Sequence, residues 1–70
     1  MQVIMAPMAG TVFRVLVHAG DMVTSGQDVV ILESMKMEVA VQAEVSGRVK
    51  AVKVSEGAFV DEDTTLLELE

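Results

Sequence analysis

The chain consists of short runs rich in valine, separated by short polar segments that contain glycine. No long stretch spaces its apolar side chains as an α-helix requires. Strict period-two alternation occurs instead in residues 38–45, where valine and alanine occupy one face and glutamate and glutamine most of the other. This pattern is typical of antiparallel sheet with one buried and one solvated face. We predict strands at residues 2–6, 10–17, 29–33, 38–43, 48–54 and 66–70, with brief strands or bridges at 22–23 and 59–60.

The pattern occurs twice along the chain. At a constant offset of 37 residues and without a gap, eight of the 26 residue pairs from 8/45 to 33/70 are identical, and two of these identities are glycine pairs. Two copies are too few for a solenoid. The repeat therefore predicts one compact domain over residues 1–70, with internal pseudo-two-fold symmetry between units 1–33 and 38–70.

The connection between the two units is predicted to be a β-hairpin. Only the four residues 34–37 join Glu33 to Glu38, which is too short for any other link between antiparallel strands. By the same symmetry, Met1 and Glu70 should lie side by side as neighbouring strand ends. The hairpin tip should then lie at the far end of the domain from both termini.

The composition excludes several classes of function. The 70 residues contain no cysteine and a single histidine, so we expect neither disulfides nor a metal site. Eleven acidic residues against five basic ones give a formal net charge of −6, which argues against nucleic acid and anionic membranes as partners. With 51% hydrophobic residues, the chain can fill a small core without staples. We predict an acidic, monomeric module in the cytoplasm, or in the mitochondrial matrix if it is excised from a larger eukaryotic protein.

The hairpin connection has an unusual composition. Tight β-turns favour glycine, asparagine and aspartate, which tolerate positive φ angles, but the tip here is Ser34-Met35-Lys36-Met37. Exposed methionine side chains lower the solubility of a protein. Their presence here therefore indicates a partner that contacts them, and the flexible methionine side chain is well suited to such contacts. The lysine amine can form an amide. The local pattern alone also allows one continuous strand through residues 31–41, with Lys36 merely solvated as most lysines are.

Two further predictions concern side chains outside the hairpin. Methionine fills irregular gaps in cores, so we expect Met5, Met8 and Met22 to be buried. Asp63 stands where the first unit has Gly26, so we expect the corresponding turn of the second unit to be built differently.

The motifs of the chain resemble those of biotinyl domains. Residues 33–38, Glu-Ser-Met-Lys-Met-Glu, are similar to the biotin-attachment motif, in which a Met-Lys-Met core carries the modified lysine. Residues 6–12 resemble the Pro-Met-x-Gly segment of that family, and residues 20–27 resemble its second signature. The resemblance covers the whole chain. It implies an all-β fold, a flattened β-barrel of two four-stranded antiparallel sheets (the barrel-sandwich hybrid), with the lysine on an exposed hairpin turn.

The resemblance also implies the function of a biotin carboxyl carrier. Lys36 would be biotinylated by a biotin protein ligase and would carry carboxyl groups between biotin carboxylase and carboxyltransferase sites, while the chain itself catalyses neither step. Because a lysine amine in water is almost entirely protonated at pH 7, the ligase would supply the base and the activated biotin. The flanking residues implied for the cofactor site are Met35 and Met37, and those for ligase recognition are Glu33, Ser34 and Glu38.

Several alternatives remain at this level. Glu33 and Glu38 are equally explained as ordinary acids at strand ends. A lipoyl carrier, with lipoate on Lys36, resembles this fold too, although its motif typically has aspartate before the lysine and alanine after it. The third reading is an unmodified β-hairpin interaction module.

Overall fold

The computed structural model describes residues 2–70, which form eight β-strands connected by turns. The strands are β1 (Gln2–Met5), β2 (Gly10–Val15), β3 (Met22–Val23), β4 (Asp28–Ser34), β5 (Met37–Gln42), β6 (Gly47–Val52), β7 (Phe59–Val60) and β8 (Thr65–Leu69). Every predicted strand is present, with ends that differ by no more than two residues. This part of the chain has no helix of the length and apolarity needed to cross a membrane.

The strands form two antiparallel four-stranded sheets. The first sheet has the strand order β1-β8-β6-β3, and the second has the order β5-β4-β2-β7. An offset of 37 residues relates β1 to β5, β2 to β6, β3 to β7 and β4 to β8, so each strand occupies the place that its counterpart has in the other sheet. The result is a flattened barrel with extents of 31 × 19 × 17 Å. The predicted fold class and its pseudo-two-fold symmetry are confirmed.

The two ends of the chain pair with each other, as the repeat requires. Gln2 of β1 lies opposite Leu69 of β8, just as their counterparts β5 and β4 pair at the hairpin. Met1, which was predicted to lie beside Glu70, falls outside the described residues.

The turns of the two units also share their hydrogen bonds. Gly26 N donates to Ala43 O at 2.8 Å, and the equivalent Asp63 N donates to Ala6 O at 2.8 Å. Gly26 has a φ angle of 91° and Asp63 has one of 71°, so both residues adopt a left-handed backbone conformation. The prediction of a differently built turn is therefore wrong. Aspartate tolerates this conformation better than most residues do, so the turn keeps its shape without glycine.

A single aliphatic core fills the space between the sheets. Within residues 2–70 no polar or charged side chain is buried in it. Valine dominates because its branched side chain fits the pleated surface of a strand. Both units contribute, and the buried side chains are Ile4, Ala6, Val12, Val17, Val23, Val29, Val30, Leu32, Val41, Ala43, Val49, Val60, Leu66, Leu67 and Leu69.

The methionines outside the hairpin are not part of this core. Met5, Met8 and Met22 are 48%, 38% and 61% exposed, so the prediction that they are buried is wrong. Met5 directly follows the buried Ile4 in β1, and Met22 directly precedes the buried Val23 in β3. Because side chains alternate along a strand, both methionines point outward whatever their hydrophobicity.

Gly10 of β2 packs against the backbone of β4 next to the hairpin. A Cβ built on Gly10 would lie 2.8 Å from the carbonyl oxygen of Glu33, which is closer than real Cβ atoms approach. The equivalent Gly47 has more room, since a Cβ there would meet two side-chain carbons of Leu69 at 3.7 and 3.8 Å. The fold therefore requires glycine at position 10 but only tolerates it at position 47.

We expect Gly10→Ala to lower the free energy of unfolding by about 1–3 kcal/mol, because the added methyl group forces two strands apart. The matched control Gly47→Ala should be neutral or stabilise the protein by up to about 1 kcal/mol, since alanine loses less backbone entropy on folding. Urea denaturation of both variants and the unsubstituted protein measures the difference. Equal destabilisation by the two substitutions would contradict it.

Candidate functional site

The lysine hairpin joins β4 to β5 through a turn of two residues. Ser34 and Met37 are the last paired residues of the two strands. Met35 and Lys36 between them have φ angles of 53° and 65°. Two central residues with positive φ characterise a type I′ turn, whose twist matches that of the flanking strands. Lys36 therefore lies at a hairpin tip as predicted, and a continuous strand through residues 31–41 is excluded.

The turn is strained, and the sheet beneath it holds it in place. A left-handed conformation costs roughly 1–2 kcal/mol per residue for side chains such as those of Met35 and Lys36. The adjoining strand β4 lies between β5 and β2 in the second sheet. Its residues Val29, Val30 and Leu32 are completely buried. Packing of these side chains therefore offsets the strain, and a rigid sheet presents the turn.

The side chains of the turn point into solvent. Met35 is 92% exposed and Met37 is 65% exposed, and Lys36 is exposed between them. Among residues 2–70, the Lys36 amine has no hydrogen-bond or ion-pair partner. No base within this part of the chain is therefore in place to take a proton from the amine. The arrangement leaves the Lys36 amine accessible to another molecule.

Two glutamates lie directly below the turn. Glu33 and Glu38 are opposite each other across β4 and β5, and both are exposed. Neither side chain has a hydrogen bond or ion pair within the described chain. Like charges that face each other across two strands destabilise the pair. The hairpin itself gains nothing from this placement, which favours a contact outside the chain.

A row of side chains continues from these glutamates across the second sheet. Thr11 of β2 pairs with Glu33 on one side and with Phe59 of β7 on the other. Because cross-strand partners lie on the same face, Glu38, Glu33, Thr11 and Phe59 form one line beneath the lysine turn. Phe59 is 67% exposed. Sequence reasoning missed both Thr11 and Phe59, since only the strand order brings them to the site.

Ser34 faces the core side of the hairpin. It is half-buried, and its Cβ lies 3.6 Å from the position that a Cβ on Gly10 would take. The close approach of β2 and β4 at this point explains why a small residue precedes the turn. The structure thus brings together all six residues that the sequence singled out, with Ser34 the least accessible to a partner among the three predicted for ligase recognition.

Comparisons with known proteins agree with this geometry. Residues 2–69 match the model of a family described as biotin-requiring enzyme. The chain is 56% identical over 62 residues to the biotin/lipoyl attachment protein of Bacillus subtilis, covering 89% of this chain and 85% of that protein. It is 45% identical over 62 residues to the biotin carboxyl carrier protein of Streptococcus mutans, with 89% of this chain and 48% of that protein covered.

Similar domains occur inside much larger proteins. A single-chain, multi-domain long-chain acyl-CoA carboxylase contains a region that superposes on 94% of this chain with a TM-score of 0.86 and 33% identity, and that region is 6% of its chain. The urea carboxylase of Kluyveromyces lactis contains another, with a TM-score of 0.91 and 26% identity over 99% of this chain and 6% of its own. This chain therefore corresponds to most of a small attachment protein and to a small part of each carboxylase. By its fold, its hairpin lysine and these matches, the chain belongs to the biotin/lipoyl-attachment family of biotin-requiring enzymes.

Proposed function

We propose that this chain is a biotin carboxyl carrier in which Lys36 holds biotin through an amide bond. The observation that carries the proposal is the exposed, unpartnered lysine at the tip of a strained two-residue turn, between two exposed methionines. The carrier role is supported by relatives that include a biotin carboxyl carrier protein, a methylcrotonoyl-CoA carboxylase subunit and a pyruvate carboxylase.

The residues at the tip fit covalent attachment of biotin. The Lys36 amine is exposed and has no competing partner among residues 2–70. When the proton has been removed, its nitrogen attacks an activated carboxyl group, the C–N bond forms and the activating group leaves. Bound biotin supplies a ring that accepts and releases a carboxyl group. The contribution of the chain is to hold that attachment point on a rigid sheet at the end of a flexible side chain.

The base and the activated acid must come from a separate enzyme, because no acceptor for the lysine proton lies in the described chain beside Lys36. We therefore infer a biotin protein ligase as the first partner. Met35 and Met37 would contact this enzyme or the bound biotin, and Glu33 and Glu38 would meet cationic groups of the ligase. Ser34, being half-buried, would contribute mainly by its small size.

The later partners are a biotin carboxylase and a carboxyltransferase. Tethering of biotin to a domain that both enzymes bind, or that is part of the same chain, raises its effective concentration at both active sites. We propose that the module acts as a monomer in the cytoplasm, or in the mitochondrial matrix if it is part of a eukaryotic carboxylase. Lipoate on Lys36 is the alternative, because one relative is a biotin/lipoyl attachment protein.

The attachment site is tested by replacing the lysine. Lys36→Arg should abolish labelling and leave the melting temperature unchanged, because the amine is lost while the positive charge and the turn are kept. Lys53→Arg, on the outside of the second unit, is the matched control and should label normally. Intact mass and a streptavidin blot after incubation with a biotin protein ligase, biotin and ATP measure both. Continued labelling of Lys36→Arg would refute the site, and a lipoyl-sized mass increment from the native host, without streptavidin binding, would refute biotin.

The methionine before the lysine is tested by separating turn stability from recognition. Met35→Asn should raise the free energy of unfolding by about 1 kcal/mol, since asparagine tolerates positive φ, yet it should slow labelling roughly tenfold if a partner reads the thioether. Met37 lies in β5, where asparagine is unfavourable, so Met37→Asn should not stabilise the fold. It should still slow labelling, because it removes the second thioether. Urea denaturation and the rate of biotinylation measure the two effects. An unchanged rate of biotinylation for Met35→Asn would show that the ligase does not recognise the Met35 side chain.

A further inference from the structure

The internal symmetry allows the outer faces of the two sheets to be compared position by position. Both faces need only contact water for the barrel to be stable, so the fold itself gives no reason for them to differ. At the centre of the second sheet, the outward residues of β2 and β4 are Thr11, Phe13, Ile31 and Arg14, which pairs with Ile31. At the equivalent positions of the first sheet, 37 residues later, β6 and β8 carry Arg48, Lys50, Glu68 and Ala51.

The face with the apolar centre belongs to the sheet that carries the lysine turn. Phe13 is 42% exposed, Ile31 is half-buried and pairs with the exposed Ala40 of β5, and Phe59 is 67% exposed on β7. We call Thr11, Phe13, Ile31, Ala40 and Phe59 the apolar face. The outer face of the first sheet also has exposed apolar side chains, with Val3 and Met22 at the places of Ala40 and Phe59, but both phenylalanines of the chain lie on the second sheet. Clustered exposed apolar side chains of this kind mark interaction surfaces.

Polar groups border the apolar face. Glu33 and Glu38 lie at the end nearest the lysine turn, opposite each other and unpaired within residues 2–70. The Arg14 guanidinium lies 5.4 Å from the centre of the Phe13 ring at one side. At the far end, Gln42 Nε2 donates to Asp28 Oδ1 at 3.1 Å. An apolar centre with a polar rim is the usual anatomy of a protein interface, and aromatic residues supply the anchors of such interfaces.

We propose that the apolar face is the docking surface for the enzyme that acylates Lys36, with Phe13 and Phe59 as anchors and a cationic group of that enzyme against Glu33 and Glu38. This proposal rests on the proposed function. The face is continuous with the site, because the row from Glu38 to Phe59 begins directly below the turn. The acylating enzyme must also approach the protein more closely than any later partner. It has to enclose the amine of Lys36 itself, whereas a carboxylase reaches the far end of the attached biotin arm.

The test replaces apolar residues of the face by polar ones. The first variant is Phe13→Lys with Ile31→Glu, which introduces the residues found at the equivalent positions 50 and 68 of the first sheet. The second is Phe59→Ser, and its matched control is Met22→Ser, because Met22 is the counterpart of Phe59 and is similarly exposed at 61%. Each protein is incubated with a biotin protein ligase, biotin and ATP, and the KM and kcat for the carrier are measured along with its melting temperature.

The expected result is a rise in KM of roughly tenfold or more for both face variants, with kcat and melting temperature close to those of the unsubstituted protein. Met22→Ser should leave KM unchanged. An unchanged KM in the face variants would overturn the proposal. If KM is unchanged but carboxyl transfer with a partner carboxylase is slower, the face binds that carboxylase and the proposal is overturned. If KM is unchanged but sedimentation shows the loss of a dimer, the face binds a second copy of the chain and the proposal is likewise overturned. Absence of labelling in the unsubstituted protein would instead refute the proposed function, and the docking proposal with it.

Discussion

The packing of two sheets around one aliphatic core determines where this protein can carry chemistry. Within residues 2–70 the core accepts only alanine, valine, leucine and isoleucine, so every ionisable side chain of this part lies at the surface. Alternation along the strands does most of the sorting, and the consecutive buried pairs Val29–Val30 and Leu66–Leu67 are the exceptions. The described chain therefore presents its ionisable groups on its outer surface.

What it presents is concentrated at one end of one sheet. The turn at Met35 and Lys36 is strained, the Glu33–Glu38 pair is repulsive, and Phe59 is an exposed aromatic residue. Each of these is unfavourable or neutral for folding. Their coincidence beside a single lysine is best explained by partners that act on that lysine. The buried strand β4 links the two roles, because its packing offsets the strain of the turn.

Much of the fold followed from local periodicity and from the repeat. Strand positions were predictable to within two residues, because a period of two and turn residues are local signals. The offset of 37 residues then predicted the hairpin and the pairing of the chain ends. The methionines show the limit of composition: Met5 and Met22 are apolar, but strand phase places them outside. Asp63 shows another limit, because the surrounding hydrogen bonds impose a left-handed turn on a residue that merely tolerates it.

The sequence by itself determined the repeated β architecture, the hairpin at its centre and the Met-Lys-Met tip, because each depends on residues close together in the chain. Only the tertiary structure decided which other side chains share the site. The strand order β5-β4-β2-β7 places Thr11 and Phe59 beside Glu33. Gly10 is required because the backbone of β4 lies too close to leave room for a Cβ atom there. Strand order depends on how the two faces pack together over the whole domain. Local patterns of hydrophobic and polar residues do not encode it.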